Sequence, residues 1–340
     1  MVMLSHEREE FIMLCVALDI ASKKHQFAIA DGEKQTNGEV ANEGRALAAF
    51  FTKIAERDPA ATVVMEATGV YHWEAAMAAH AANLQVSVIN PKTSANFAKA
   101  LSLRAKTDRV DAQMLLTFAL RMSPLQRWHP PRSVVIELRA ISRHVQALHE
   151  QLVATKNRLH AQQVMGECPA FVLRDQKQEI KRLEQRIAKA SEEAMTRIKA
   201  DVELQAQFDA LDSITGIAQA SAISILGELA PLPTQMRAKE CVAHAGLDVR
   251  QHESGSSVAK PGRLSKQGNH FLRRAFYMPA LVAIVHDPHA KAFYERLVGR
   301  GKKKMQALCA VMRKLLTAAW SLSKSRATYD GSLLFARVDA

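Results

Sequence analysis

The rhythm of apolar residues changes once along this chain, near residue 130 of 340, and that change limits the folds open to it. Before it, apolar residues come in short runs of strand length; after it they keep helical spacing almost to the end. Ile12 to Ile20 (IMLCVALDI) is a buried-strand run, Lys24 to Ala30 (KHQFAIA) alternates, and Gly38 to Ala41 closes a three-stranded meander. Gly44 to Glu56 reads as a helix, Thr62 to Glu66 (TVVME) as a short strand, and Val70 to Ala82 as an Ala-rich helix. Leu84 to Ile89 (LQVSVI) alternates until Asn90-Pro91 breaks it, and a helix runs from about Arg109 to Arg121. The order β-β-β-α-β-α-β-α predicts an antiparallel meander followed by crossover units.

That order is the one an RNase H-like (RuvC-like) fold gives. Pro124, Pro130 and Pro131 mark its end. Beyond them Leu138, Ile141, Val145, Leu148, Leu152 and Leu159 keep a 3-4 spacing, with Thr155 at the remaining seam position. Gly166 and Pro169 interrupt it, and Ile180, Leu183, Ile187, Ala190 and Ala194 resume it. Two such helices joined by a break predict an antiparallel coiled-coil hairpin or dimerising arm. From Leu204 the pattern is helical. Ser213 to Leu229 resembles a helix-hairpin-helix around Gly216, a turn that offers backbone N–H groups to phosphate; a plain helix-helix turn is the alternative. Asp248 to Gln267 is a long polar interruption, and Gly268 to Val285 returns to an apolar helix. The expected class is therefore α/β plus all-α: residues 1–130 an RNase H-like domain, 131–205 a coiled coil, and 206–340 a helical domain.

Lys and Arg number 46 against 34 Asp and Glu, a formal charge of +12, which favours a polyanionic partner, nucleic acid first. Cys15, Cys168, Cys241 and Cys309 stand far apart with no CxxC, so neither a zinc ribbon nor a disulfide framework is expected. The N-terminus lacks the pattern of a signal peptide. The longest strongly apolar stretch, Ala275 to Val285, is about half the ~20 residues a membrane helix needs. A cytosolic protein with no membrane partner is the expectation.

Four carboxylates fall where the first domain would gather them. Asp19 ends the first strand (VALDIAS), Glu66 ends a later one (VVMEATG), and Asp108 and Asp111 open a helix in AKTDRVDA. An i,i+3 pair shares a helical face. Bare carboxylates so close would repel and raise one another's pKa, which Mg²⁺ relieves. Two such ions about 4 Å apart can serve phosphoryl transfer, with Mn²⁺ as a substitute for Mg²⁺. Taken singly each acid has a plainer role: Asp108 as an N-cap, Asp111 as a partner of the helix dipole. Lys106 beside them suits a phosphate. An actin-like ATPase opens with a similar strand and hairpin, but no later glycine-rich phosphate turn or P-loop follows.

The polar interruption holds Ser254, Ser256 and Ser257, with Arg250, His252, Lys260, Arg263 and Lys266 close by and Arg273 and Arg274 downstream. A serine hydroxyl needs a base, a metal or a cation to act as a nucleophile, and these cations could neutralise a phosphate under attack. The alternative is a flexible Ser/Gly linker. Ser254 to Lys304 carries eleven basic residues against two acids, so most of the net charge of the chain sits here.

Together VALDIASKKH, VVMEATGVYHW, AKTDRVDAQMLL, ITGIAQASAISILGEL and SGSSVAKPGRLSKQGNHFLRRAF resemble, in order, the signatures of the DEDD-type insertion-sequence transposases of the "IS one-ten" family, relatives of the Piv invertase. The resemblance covers about residues 12 to 325. It implies a RuvC-like nuclease domain with Asp19, Glu66, Asp108 and Asp111 as metal ligands, a coiled coil, and a C-terminal transposase domain. It implies a serine nucleophile, for which Ser254 before Gly255 is most similar, with Ser256 and Ser257 as neighbouring candidates. It also implies donor and target DNA and a structured noncoding guide RNA as partners, and the coiled coil suits a homo-oligomer, dimer or tetramer. Two rivals stand beside this reading: a junction-resolving endonuclease that uses the acids alone, and a non-catalytic nucleic-acid-binding protein.

Overall fold

The computed structural model describes residues 14–102, 108–254 and 258–335; the side chains of residues 108–109, 251–254 and 258–261 are not among those described. The chain divides into two compact units, Met1–Pro130 and Pro131–Ala340.

The first unit is built on β1 (Cys15–Asp19), β2 (Lys24–Asp31), β3 (Lys34–Ala41), α1 (Gly44–Arg57), β4 (Thr62–Glu66), α2 (His72–Ala81), β5 (Gln85–Ile89), α3 (Pro91–Ala100) and α4 (Asp108–Arg121). The five strands form one sheet in the order β3-β2-β1-β4-β5. The meander is antiparallel, whereas β1–β4 and β4–β5 are parallel. This is the RNase H-like topology. Alternation along the strands sorts the core into two layers. Val16, Leu18, Val63 and Met65 pack against Leu47, Phe51 and Ile54 of α1 and the alanines of α2. Cys15, Ala17, Ala28, Ala30 and Val64 face the other way and meet Ala112, Leu115, Leu116 and Ala119, one stripe of α4. The small residues on this second face let α4 lie close to the sheet.

Helix α3 departs from the sequence expectation, which treated Asn90-Pro91 only as a break. The same pair starts a helix: the Asn90 side chain accepts from the Lys92 N–H, and Pro91 takes the first helical position, where no N–H is needed.

The second unit comprises α5 (Ser133–Met165), α6 (Ala170–Ala200), α7 (Val202–Asp212), α8 (Gln219–Leu229), α9 (Ala238–His244), β6 (Val249–Ser254), β7 (Val258–Leu264), α10 (His270–Ala275), α11 (Tyr277–His286), α12 (Pro288–Gly299), α13 (Lys304–Ser325) and α14 (Gly331–Leu334). Helices α5 and α6 form an antiparallel hairpin that turns at Gly166, whose φ is 77°. Leu148, Leu152 and Leu183 are its outer seam, flanked by Ile180 and Ile187. Thr155 is buried in this seam at little cost because its hydroxyl donates to the Gln151 carbonyl at 2.9 Å. Ion pairs Lys156–Glu184 and Glu137–Arg197, both at 2.8 Å, cross the hairpin in antiparallel register. Its base is part of a larger core: Leu138, Ala194 and Ile198 pack with α7, α8 and the buried face of α13.

Two expectations for this unit are corrected. The polar interruption is an antiparallel two-stranded hairpin, β6–β7, with a bulge between Arg250 and His252. The apolar stretch after Gly268 is two helices that meet at Phe276. The turn at Gly216, with φ 98°, packs against α11: a β-carbon there would stand 2.5 Å from the Pro279 carbonyl oxygen. Close packing accounts for a glycine at this turn, which joins α7 to α8.

Candidate active site

Strand pairing puts two of the expected acids side by side. Leu18 of β1 pairs with Met65 of β4 in parallel register, so Asp19 and Glu66, the next residue on each strand, occupy neighbouring strand ends. Alternation places both on the face of Ala17 and Val64, the face that α4 covers. Asp108 is the first residue of that helix and Asp111 lies one turn later; Asp111 is half-buried, and the Asp108 side chain lies outside the described residues.

Glu66 is held at both oxygens. The Thr68 hydroxyl donates to Oε1 at 3.2 Å, and the Ser94 hydroxyl lies 2.5 Å from Oε2. Neither residue stands out in the sequence. Thr68 is two residues past the acid in MEATG. Ser94 sits in the helix the sequence reading missed, and the clue was the Asn-Pro start signal four residues earlier.

Carboxylate oxygens are hard ligands suited to a divalent ion such as Mg²⁺, so the donor set fits such a cation. Among the described residues no three His, Cys, Asp or Glu side chains group closely enough to hold a metal ion; the Asp108 side chain is not among them. Lys106 also lies outside the described residues.

In the second unit Ser254 ends β6, paired with Val258 across the hairpin; its side chain, with Gly255, Ser256 and Ser257, lies outside the described residues. Arg250 and Arg263 are direct cross-strand partners, both exposed, and Lys266 beyond them is exposed too. Like charges placed opposite repel, which an anion on that strand pair would relieve. Lys260 pairs with His252 one step nearer the turn, its side chain undescribed. Arg273 and Arg274 are engaged within the fold: Arg273 donates to the Ala245 carbonyl at 2.9 Å, and Arg274 pairs with Glu150.

The root of the hairpin is tied down. Ser265 donates to Asp248 through both its backbone N–H and its hydroxyl, and the Asn269 N–H donates to the His244 carbonyl at 2.6 Å. Gly268, with φ 109°, has no room for a β-carbon because the His244 carbonyl oxygen occupies that space. The Asn269 side chain caps α10 and donates to Glu228 at 2.6 Å. Glu228 is fully buried and also receives Arg143 at 2.6 Å, with Arg139 at 3.6 Å. The one signal for it in the sequence was an acid inside the apolar run SILGEL.

A family model described as a transposase, of DEDD type, matches residues 16–165, and a second, described as the transposase IS116/IS110/IS902 family, matches residues 209–295. The chain belongs to the IS116/IS110/IS902 family of transposases. Membership in this transposase family makes it a DNA-binding enzyme that cuts and rejoins DNA, and the four-acid type implies a divalent metal. Curated relatives include the pilin gene-inverting protein of Moraxella bovis, 28% identical over 269 residues, which are 79% of this transposase and 81% of the relative. An insertion element IS900 protein of Mycobacterium paratuberculosis is 33% identical over 88 residues, 25% of this chain and 21% of its own. Among solved structures, Thermus thermophilus RuvC in complex with a Holliday junction substrate is 13% identical, covers 34% of this transposase and 99% of that chain, and has a TM-score of 0.27. Among the described residues of this transposase no helix is long and apolar enough to cross a membrane.

Proposed function

We propose that this transposase exchanges DNA strands through a transient phosphoserine, with Asp19, Glu66, Asp108 and Asp111 as ligands for Mg²⁺ and Ser254 as the nucleophile. The observation that carries the reading is the placement of Asp19 and Glu66 at neighbouring ends of β1 and β4, one residue past the Leu18–Met65 pair, on the face covered by the helix that begins at Asp108. When bound, the metal would supply Lewis-acid polarisation of the scissile phosphate. The four carboxylates would hold it. The Ser254 oxygen attacks phosphorus; the new O–P bond forms as the bond to the leaving sugar oxygen breaks, and the proton of serine leaves with the departing group or a nearby base. A hydroxyl of the partner strand then attacks the phosphoserine, rejoins the DNA and returns the serine. The acids and the serine belong to the same or to different copies of the chain.

Arg250, Lys260, Arg263 and Lys266 gather phosphate at the serine hairpin, with Lys106 beside the acids and Arg273 and Arg274 of α10 adding to the nucleic-acid-binding set. What supports this is the cross-strand placement of the exposed Arg250 and Arg263 and the basic excess from Ser254 to Lys304. The α5–α6 hairpin suits a homo-oligomer, dimer or tetramer, since exchange joins two DNA partners. The DNA partners are the donor and the target. A structured noncoding RNA from the ends of the element guides them.

Ser254→Ala and Asp111→Asn are expected to abolish recombination, and the wild type is expected to form a denaturation-resistant protein–DNA adduct when resolution is blocked. Cleavage that survives Ser254→Ala favours the junction-resolving endonuclease. Recombination that is unchanged in Asp111→Asn removes the metal site. A discrete RNA that copurifies and is needed for exchange supports the guide; exchange without RNA overturns it.

A further inference from the structure

We propose that Thr68 and Ser94 are positioning residues for Glu66, fixing the plane of its carboxylate so that it is ready for a divalent cation. The inference rests on the reading of Glu66 as a metal ligand given above. The two hydroxyls come from separate segments and take separate oxygens: Thr68 holds Oε1 at 3.2 Å and Ser94 approaches Oε2 at 2.5 Å. The shorter separation lies in the range of a hydroxyl donating to a charged carboxylate. A glutamate at a strand end would otherwise sample several rotamers, and a metal would have to order it on binding.

Both hydroxyls are themselves constrained. Ser94 is 1% exposed, and its oxygen also lies 2.8 Å from the Pro91 carbonyl, three residues earlier in α3. The start of that helix is fixed by the Asn90 cap and by Pro91. The Thr68 N–H donates to the Glu66 carbonyl at 2.8 Å, so the backbone that carries the threonine is tied to the residue it orients. The preceding N–H, of Ala67, donates to the Ile89 carbonyl at 2.9 Å, which joins this loop to the end of β5 just before α3. Glu66, Thr68 and Ser94 are thus linked to one another by hydrogen bonds. Each carboxylate oxygen can accept about two hydrogen bonds, so one hydroxyl per oxygen leaves a lone pair on each for a cation. This is the arrangement by which outer groups orient a ligand and raise its affinity for metal.

The test uses the purified full-length transposase without DNA, with Mn²⁺ binding followed by loss of the free-ion electron paramagnetic resonance signal. Ser94→Ala and Thr68→Val are each expected to weaken Mn²⁺ binding by about 10-fold or more, with circular dichroism unchanged. Thr68→Ser, which keeps the hydroxyl, is expected to bind like the wild type; a role in packing alone would not be rescued this way. The Mg²⁺ concentration for half-maximal cleavage should rise in the same two variants. If Glu66→Gln loses Mn²⁺ while both hydroxyl variants bind fully, the positioning role is overturned alone. If Glu66→Gln binds as the wild type does, the ligand reading falls, and this inference with it.

Discussion

Glu228 and Arg143 meet in a two-point ion pair inside the helical unit, Nε to Oε1 at 2.6 Å and Nη2 to Oε2 at 3.0 Å. The guanidinium lies over the Phe271 ring, 4.4 Å from its centroid, while the carboxylate is wholly shielded from water. Removing the buried partner leaves cations and an asparagine without their acceptor. Glu228→Ala should therefore cost about 3–5 kcal/mol in urea unfolding. Arg143→Ala should cost less, because Asn269 and Arg139 still serve the carboxylate.

Gly268 is the strictest position at the root of the serine hairpin. Its φ of 109° is a conformation that side chains rarely adopt, and the His244 carbonyl fills the space for a β-carbon. Gly268→Ala should lose about 2 kcal/mol or more of stability, from backbone strain and overlap together. Substituting Gly299, which has nothing within 4 Å of the same position, should be mild by the same measurement.

His25 gives the first unit a pH dependence. It is fully buried, Nδ1 accepts the Ala21 N–H at 3.2 Å, and burial holds the imidazole below its usual 6.5. The unfolded chain then takes up the proton more readily than the folded one, so stability is full above about pH 6.5 and falls as the pH drops below it. Urea midpoints between pH 7.5 and 5.5 should decline for the wild type. His25→Gln should be less stable at pH 7.5 and show a shallower decline.

The thiols should separate by accessibility. Burial pushes Cys15 and Cys241 up to about 12, so few thiolates form at ordinary pH. Cys168, beside the turn of the α5–α6 hairpin, is only half-buried. Iodoacetamide at pH 8 should label Cys168 first and reach Cys15 and Cys241 only after denaturant is added, as peptide mass analysis will show.

Leu183 seals the outer part of the α5–α6 hairpin and belongs to a small cluster apart from the main core. Leu183→Ala should loosen that end locally, with hydrogen exchange rising around residues 148–152 and 180–187 while Leu308 to Leu316 stay protected. Leu315→Ala, fully buried in the main core, should instead lower global stability by about 2–5 kcal/mol.

The sheet was legible because its strands carry their own pattern. Val16, Leu18, Val63 and Met65 alternate with small residues, and that alternation encodes both faces. Asp19 and Glu66 were legible for the same reason, as the first polar residues after buried runs. Helix α3 was not, because PKTSANFAKA has few apolar residues and its cap resembles a break. Ser94 was hidden with it. The hairpin β6–β7 was hidden by its composition: RQHES and AKPGR lack an alternating apolar face, and the strands are fixed by pairing with each other. Glu228 needed three dimensions, since its partners come from α5 and from the cap of α10.

The central position of β1 sets an order on assembly. As a nascent chain emerges, the meander can close at once, because β1, β2 and β3 are joined by short turns. The parallel contact between β1 and β4 joins segments separated along the chain by β2, β3 and α1. Such long-range pairings close late and slowly. Asp19 and Glu66 therefore come from segments that meet only when this long-range contact closes. A chain truncated before β4 carries Asp19 without Glu66, its neighbour at the strand ends.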